Sequence, residues 1–184
     1  DLGEMLATAP PAAGGGVQTD QLPYGLLWRV IEDEIRPLCV ENGVGILCYS
    51  PLAQGLLAGI YPTVDDVPEN LKRTRWYAGT RPNTDHDDPG CETEVFAALE
   101  KVRSISAEAG APMAAVALAW LRRQEGVTSI LVGARKPEEV GWNLPSLELT
   151  LTDDALAALS AATEPVKRAL GGNPYMWMST SRMR

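Results

Sequence analysis

Three short strand candidates alternate with helical segments along this chain, and this alternation limits the folds that it can adopt. The candidates are residues 17–24, 44–51 and 127–134, and the second and third are apolar over most of their length. Largely apolar strands that are separated by helices pair in parallel, because the crossover helices cover their faces. The sequence therefore predicts an α/β protein with a parallel sheet.

Apolar residues at helical spacing predict the helices between and after these strands. Thr152 is a good N-cap for the final helix. Two parts of the chain show no such period, a long polar loop over residues 62–90 and a tail over residues 171–184. The predicted helices cover residues 1–9, 27–43, 92–109, 111–126, 136–147 and 151–165.

A doubly wound sheet and a (β/α)8 TIM barrel both fit this order of elements. No glycine-rich G-x-G-x-x-G or G-x-x-x-x-G-K-[ST] turn follows any strand, which disfavours the Rossmann and P-loop folds. Three strands cannot close a barrel, and barrels typically need about 250 residues. The chain has 184 residues and opens at Asp1 within an amphipathic pattern. We therefore expect residues 1–184 to be the C-terminal part of one larger domain.

Composition excludes several classes of partner. The net charge of −8 and a pI near 4.7 argue against nucleic acid, which rewards a basic surface. No stretch approaches the roughly 20 apolar residues of a membrane span. Cys39, Cys48 and Cys91 are an odd number without paired spacing, as in a reduced protein. We expect a cytoplasmic protein that binds neither nucleic acid nor membrane.

Two segments follow strand candidates in a way that suits a ligand. Tyr49 and Ser50 end the second strand, where an aromatic face and backbone N–H groups could hold a planar ring and a phosphate; a packed tyrosine before a turn is the plain alternative. Residues 131–143 place a small turn, Arg135 and Lys136 after the third strand, which suits a phosphate or is simply an exposed basic pair. His86 lies among aspartates, which indicates a solvated turn more than a metal site.

Four segments in order resemble the aldo/keto reductase family. They read QLPYGLLWR, YSPLAQGLLAGIY, ALAWLRRQEGVTSILVGARKPEEV and LTDDALAAL, and together they extend over most of the chain. The resemblance implies a (β/α)8 TIM barrel, of which this chain would hold about strands 6–8 with their helices. It also implies NADP(H) as cofactor and hydride transfer to a small aldehyde or ketone.

The resemblance also assigns cofactor contacts to residues of this chain. Gln21 matches the glutamine that binds the nicotinamide carboxamide, and Tyr49 matches the aromatic that stacks on the nicotinamide ring. Arg73 or Arg75 in the long loop is expected to add to a phosphate clamp. The turn along the pyrophosphate matches Ser50, Leu52, Gln54 and Gly55. The 2′-phosphate region matches Gly133, Ala134 and Arg135, and the surroundings of the adenine match Glu139 and Asn143.

This sequence departs from the family pattern at several of these places. Asp20 stands where asparagine is usual, Ile60 replaces a lysine, and Gly141 and Trp142 replace an acidic pair before Asn143. Together these changes put the affinity for the cofactor in question.

The Asp, Tyr, Lys and His tetrad of the family comes from the first half of the barrel. We therefore expect no catalytic residue and no metal ligand in this chain. To be complete, the chain would need the missing N-terminal half of the barrel or a homo-oligomer partner. A non-catalytic nucleotide-binding or regulatory protein, resembling potassium-channel beta subunits, is the alternative function. Trp76, Tyr77, Trp177 and Met178 are expected as apolar walls of the carbonyl pocket.

Overall fold

The computed structural model describes residues 2–8 and 16–179 of the chain. The remaining part of the predicted tail, residues 180–184, lies outside the described residues. The strands are β1 (Thr19–Pro23), β2 (Gly45–Tyr49) and β3 (Val127–Ile130). The helices are α1 (Leu2–Thr8), α2 (Ile35–Glu41), α3 (Glu92–Glu108), α4 (Met113–Arg122), α5 (Pro137–Asn143) and α6 (Asp153–Leu170).

The strands form one parallel sheet in the order β1-β2-β3, which confirms the predicted α/β class. Gln21 aligns with Leu47 and Pro23 with Tyr49 across the first pair. The second pair is irregular, because the register shifts between Ile46 and Leu47. Within the described residues the outer edges of β1 and β3 pair with no further strand, so the sheet is open at both sides.

The two faces of β2 are buried to different degrees. Ile46 and Cys48 are fully buried on one face, whereas Leu47 and Tyr49 are half-buried on the other. Helix α4 contributes strongly to the core, since every residue from Met113 to Leu121 is buried. Burying a large apolar side chain contributes about 1.5–3 kcal/mol, so the covered face of the sheet and α4 carry much of the stability.

Tryptophans hold the segment after β1 in the core. The rings of Trp28 and Trp76 meet edge to face with centroids 5.6 Å apart, and Trp76 Nε1 donates to the Leu27 carbonyl at 2.8 Å. The prediction of one helix over residues 27–43 is wrong here. Only Ile35–Glu41 is α-helical, and Pro37 lies in its first turn, the part of a helix that tolerates proline.

Helix α6 begins as predicted and ends later than predicted. The Thr152 hydroxyl accepts a hydrogen bond from Ala155 N at 3.2 Å, which confirms the N-cap. The helix continues through Pro165 to Leu170. Val166 and Leu170 are buried, so packing of the last turns outweighs the lost proline hydrogen bond.

The long polar loop is irregular, as predicted, but Lys72 and residues 74–77 in its middle are buried. Its only described helical turns are the 3₁₀ segments Val64–Asp66 and Glu69–Leu71.

All three cysteines are free and buried. No single helix in residues 2–8 and 16–179 is long and apolar enough to cross a membrane, although α3 and α4 taken together, with a 92° bend, pass by length and composition.

A Gly25→Ala substitution should destabilise the protein. A Cβ at Gly25 would lie 2.7 Å from the carbonyl oxygen of Pro51, so the turns after β1 and β2 would have to separate. We expect a loss of about 1–3 kcal/mol in the free energy of unfolding, measured by urea denaturation of the complete gene product.

Gly141→Ala is the matched control for this substitution. A Cβ there meets nothing within 4 Å, and the residue lies in α5. Alanine should leave stability unchanged or raise it by about 0.5–1 kcal/mol, since glycine disfavours helix. Equal losses in the two variants would contradict the close approach of the two turns.

Candidate functional site

The carboxyl ends of the three strands lie at one edge of the sheet. Pro23 pairs with Tyr49, Cys48 pairs with Ile130, and Leu131 N donates to the Cys48 carbonyl at 2.8 Å. Ligands of parallel α/β proteins bind at such an edge, because the strand-to-helix turns converge there. The segments after β1, β2 and β3, which contain most of the predicted contacts, therefore emerge at the same edge.

Tyr49 presents an aromatic ring at this edge. It is half-buried, and its ring lies parallel to that of Trp177, with centroids 6.3 Å apart and planes within 1°. Burial raises the pKa of its hydroxyl, as does nearby Tyr175, so the ring is uncharged at neutral pH. Gln21, on the neighbouring strand, is exposed. The predicted nicotinamide contacts are thus an accessible amide and a neutral aromatic face.

The turn after Tyr49 has an unusual backbone. Ser50, Ala53 and Gln54 have φ of 53°, 50° and 55°, and Gly55 has φ of 98°. Left-handed conformations are uncommon for residues other than glycine and cost on the order of 1–3 kcal/mol when strained. Hydrogen bonds from Ala53 N to the Ser50 carbonyl and from Gly55 N to the Leu52 carbonyl, both 3.0 Å, hold the turn. Alternating backbone conformations of this kind can turn N–H groups toward an anion.

The predicted adenosine region follows β3 and is occupied by an ion pair. Glu139 accepts a hydrogen bond from Arg135 N at 2.7 Å and from Arg135 Nη2 at 2.9 Å. Gly133 and Ala134 are exposed, and Asn143 is half-buried. The small turn that was predicted to admit a phosphate is therefore open, while the cation beside it already contacts a carboxylate.

The structure separates the two arginines of the long loop. Arg73 is exposed, and its predicted phosphate contact stays a prediction. The phosphate contact of Arg75 also stays a prediction; its side chain is buried and binds Asp88. Its other nitrogens donate to the carbonyls of Asn173 and Leu170, each at 2.8 Å. Arg75 thus joins the long loop to the tail.

Two of the four expected pocket-wall residues lie in the core instead. Trp76 and Tyr77 are 1% and 2% exposed, so they cannot line an open pocket. Trp177 and Met178 are half-buried, and Trp177 contacts the ring of Tyr49. The tail therefore reaches the aromatic end of β2, in line with the expectation for Trp177.

His86 is also placed differently from the prediction of a solvated turn. Its side chain is buried, and neither ring nitrogen has a hydrogen-bond partner. It lines a cavity of about 310 Å³ together with residues of the tail, Met178 and Ser179. Within residues 2–8 and 16–179 no group of three or more His, Cys, Asp or Glu side chains could hold a metal ion.

These features define an α/β protein with a candidate ligand site at the carboxyl ends of the strands of a parallel sheet. The comparison with known families is more specific: residues 12–164 match the aldo/keto reductase family. The chain belongs to the aldo/keto reductase family.

Curated relatives agree with this assignment. The chain is 33% identical over 155 residues to the NADH-specific methylglyoxal reductase of Escherichia coli K12, an alignment of 84% of this chain and 44% of that protein. It is 32% identical over 164 residues to the L-glyceraldehyde 3-phosphate reductase of Escherichia coli O157:H7, over 88% of this chain and 44% of that protein. The chain thus spans less than half the length of these relatives.

Proposed function

We propose that this chain is the coenzyme-binding part of an aldo/keto reductase that reduces a small aldehyde or ketone. The observation that carries the proposal is the turn from Ser50 to Gly55. Its left-handed residues directly follow the aromatic end of β2, in a chain of this family. Strained backbone persists where its surroundings hold it, and it is often found at binding sites.

The residues at the carboxyl ends of the strands fit a nicotinamide dinucleotide. Tyr49 would hold the plane of the nicotinamide ring, Gln21 its carboxamide, and the backbone of residues 50–55 the pyrophosphate. When bound, the reduced nicotinamide supplies a hydride to a carbonyl carbon. We assign no acid–base residue in this chain, so the proton for the product alkoxide would come from the other part of the protein.

The open surfaces of the structure support a barrel of which this is about strands 6–8. Both outer edges of the sheet lack a neighbour within the described residues, and one face of β2 is only half covered. Large apolar side chains on and after α5 are exposed, among them Trp142 at 57% and Leu147 at 62%. Such edges and surfaces need a cover. We propose the missing N-terminal half of the barrel for this role.

The experiment uses the complete gene product. Its intact mass should exceed 19.8 kDa, the mass of this chain. Titration with NADH and with NADPH, measured by isothermal calorimetry, should show binding of a nicotinamide coenzyme. Methylglyoxal and glyceraldehyde should then be reduced, which is measured as loss of the absorbance of the reduced coenzyme.

The outcomes separate the proposal from its alternative. Binding of a coenzyme without reduction of any small aldehyde would favour the non-catalytic nucleotide-binding protein. No binding of either coenzyme would contradict both. Both the NADP(H) that the resemblance implies and NAD(H) are compatible with the nicotinamide and pyrophosphate contacts, which are common to the two.

A further inference from the structure

We propose that the adenosine end of this site selects NAD(H) over NADP(H), and that Glu139 makes the selection. The inference rests on the proposed function, because it concerns the same coenzyme site. It starts from Arg135, the residue that would be expected to bind the 2′-phosphate of NADP(H). In this structure its guanidinium has another partner.

Glu139 binds Arg135 at several points. One carboxylate oxygen accepts from Arg135 N at 2.7 Å, and the other accepts from Nη2 at 2.9 Å and from Nε at 3.2 Å. The Glu139 side chain is 16% exposed, whereas that of Arg135 is 75% exposed. The carboxylate is therefore held against the chain, and the charge of Arg135 is compensated before any ligand arrives.

The ionised state of Glu139 follows from these contacts. The hydrogen bond from the backbone of Arg135, and next the bond from its side chain, lower the pKa of the Glu139 carboxyl. Glu139 is thus an anion at neutral pH. A 2′-phosphate carries further negative charge, and bringing like charges together in a binding site disfavours the complex.

The net charge of residues 133–139 also disfavours binding of a 2′-phosphate. Between Gly133 and Glu139 the cations Arg135 and Lys136 are balanced by the anions Glu138 and Glu139. Ile60, after the pyrophosphate turn, adds no charge and is exposed. A 2′-phosphate therefore meets a segment without net positive charge, and the residues present do not fit it.

A free ribose hydroxyl suits the same residues. A carboxylate can accept a hydrogen bond from the 2′-OH of the adenosine ribose, as acidic residues of NAD-binding proteins do. Glu139 can form this bond while it stays bound to Arg135, because a carboxylate has two oxygens and about four lone-pair sites. The methylglyoxal reductase to which this chain is similar is described as NADH-specific, which is in line with the inference.

Binding of NADH and NADPH to the complete gene product tests this inference without relying on turnover. Isothermal calorimetry should give a Kd for NADPH about tenfold or more above that for NADH. Glu139→Gln should lower the Kd for NADPH by about tenfold and change the Kd for NADH by much less. Glutamine keeps the size of the side chain, so the comparison isolates the charge.

Glu138→Gln is the matched control, since it removes one exposed carboxylate from the same helical turn. Its ratio of the two Kd values should stay close to that of the parent protein. Tighter or equal binding of NADPH by the parent protein would overturn the selection by Glu139 and leave the proposed function intact. A ratio that Glu139→Gln does not change would also overturn it. Binding of neither coenzyme would overturn the proposed function as well.

Discussion

Replacing Arg75 by methionine is expected to destabilise the protein by about 1–3 kcal/mol, because removing this buried donor leaves its acceptors unpaired. Asp88 and the carbonyls of Leu170 and Asn173 would lose their donor. The guanidinium also lies 5.9 Å from the centroid of the Trp28 ring. Urea denaturation of the complete gene product, followed by circular dichroism, measures the loss.

Arg73→Met is the matched control, since Arg73 is exposed in the same loop. It should leave the free energy of unfolding nearly unchanged. Coenzyme affinity separates the two roles that were open for Arg75. A variant Arg75→Met that keeps its stability but loses affinity for the coenzyme would support the phosphate contact and contradict the structural role.

Replacing Tyr49 by alanine is expected to weaken coenzyme binding by about tenfold to a hundredfold. Stacking of a base on an aromatic side chain contributes about 1–3 kcal/mol, and each factor of ten in affinity corresponds to about 1.4 kcal/mol. Tyr49 offers such a face at the end of β2. Isothermal calorimetry with NADH on the complete gene product measures the change.

Two further variants locate the effect. Tyr49→Phe keeps the ring and should bind NADH nearly as well as the parent protein, because the hydroxyl has no part in stacking. Trp177→Leu removes the tail ring that lies parallel to Tyr49 and leaves Tyr49 in place, so it should also retain affinity for NADH. A loss in Trp177→Leu as large as that in Tyr49→Ala would assign the effect to the tail and not to stacking on the coenzyme.

Local patterns in the sequence predicted the elements that have a clear period or a clear end. The run that stops at Tyr49 indicated a buried strand, and β2 ends there. Thr152 indicated the start of α6. The segment after β1 was harder, since residues 24–31 are all buried, and their apolar spacing therefore indicated a helical face that the structure does not have.

Contacts between distant parts of the chain could not be read in the same way. Nothing near Arg75 in the sequence indicates that carbonyls at residues 170 and 173 will accept from it. The same holds for Trp76, whose ring packs on Trp28, and for His86 beside the tail. A polar loop whose apolar residues have no regular spacing does not indicate which segment of the chain will pack against it.

The amino-acid sequence by itself determined the parallel α/β class, the order of its strands and the residues that end them. These follow from the spacing of apolar residues and from the residues that end each strand, which act within a few positions of the chain. Only the tertiary structure decided that Arg75 is buried, that the Trp177 ring lies parallel to that of Tyr49 and that Glu139 binds Arg135. Burial and pairing of a side chain depend on what packs against it, and the backbone carbonyls that Arg75 binds lie 95 and 98 residues away.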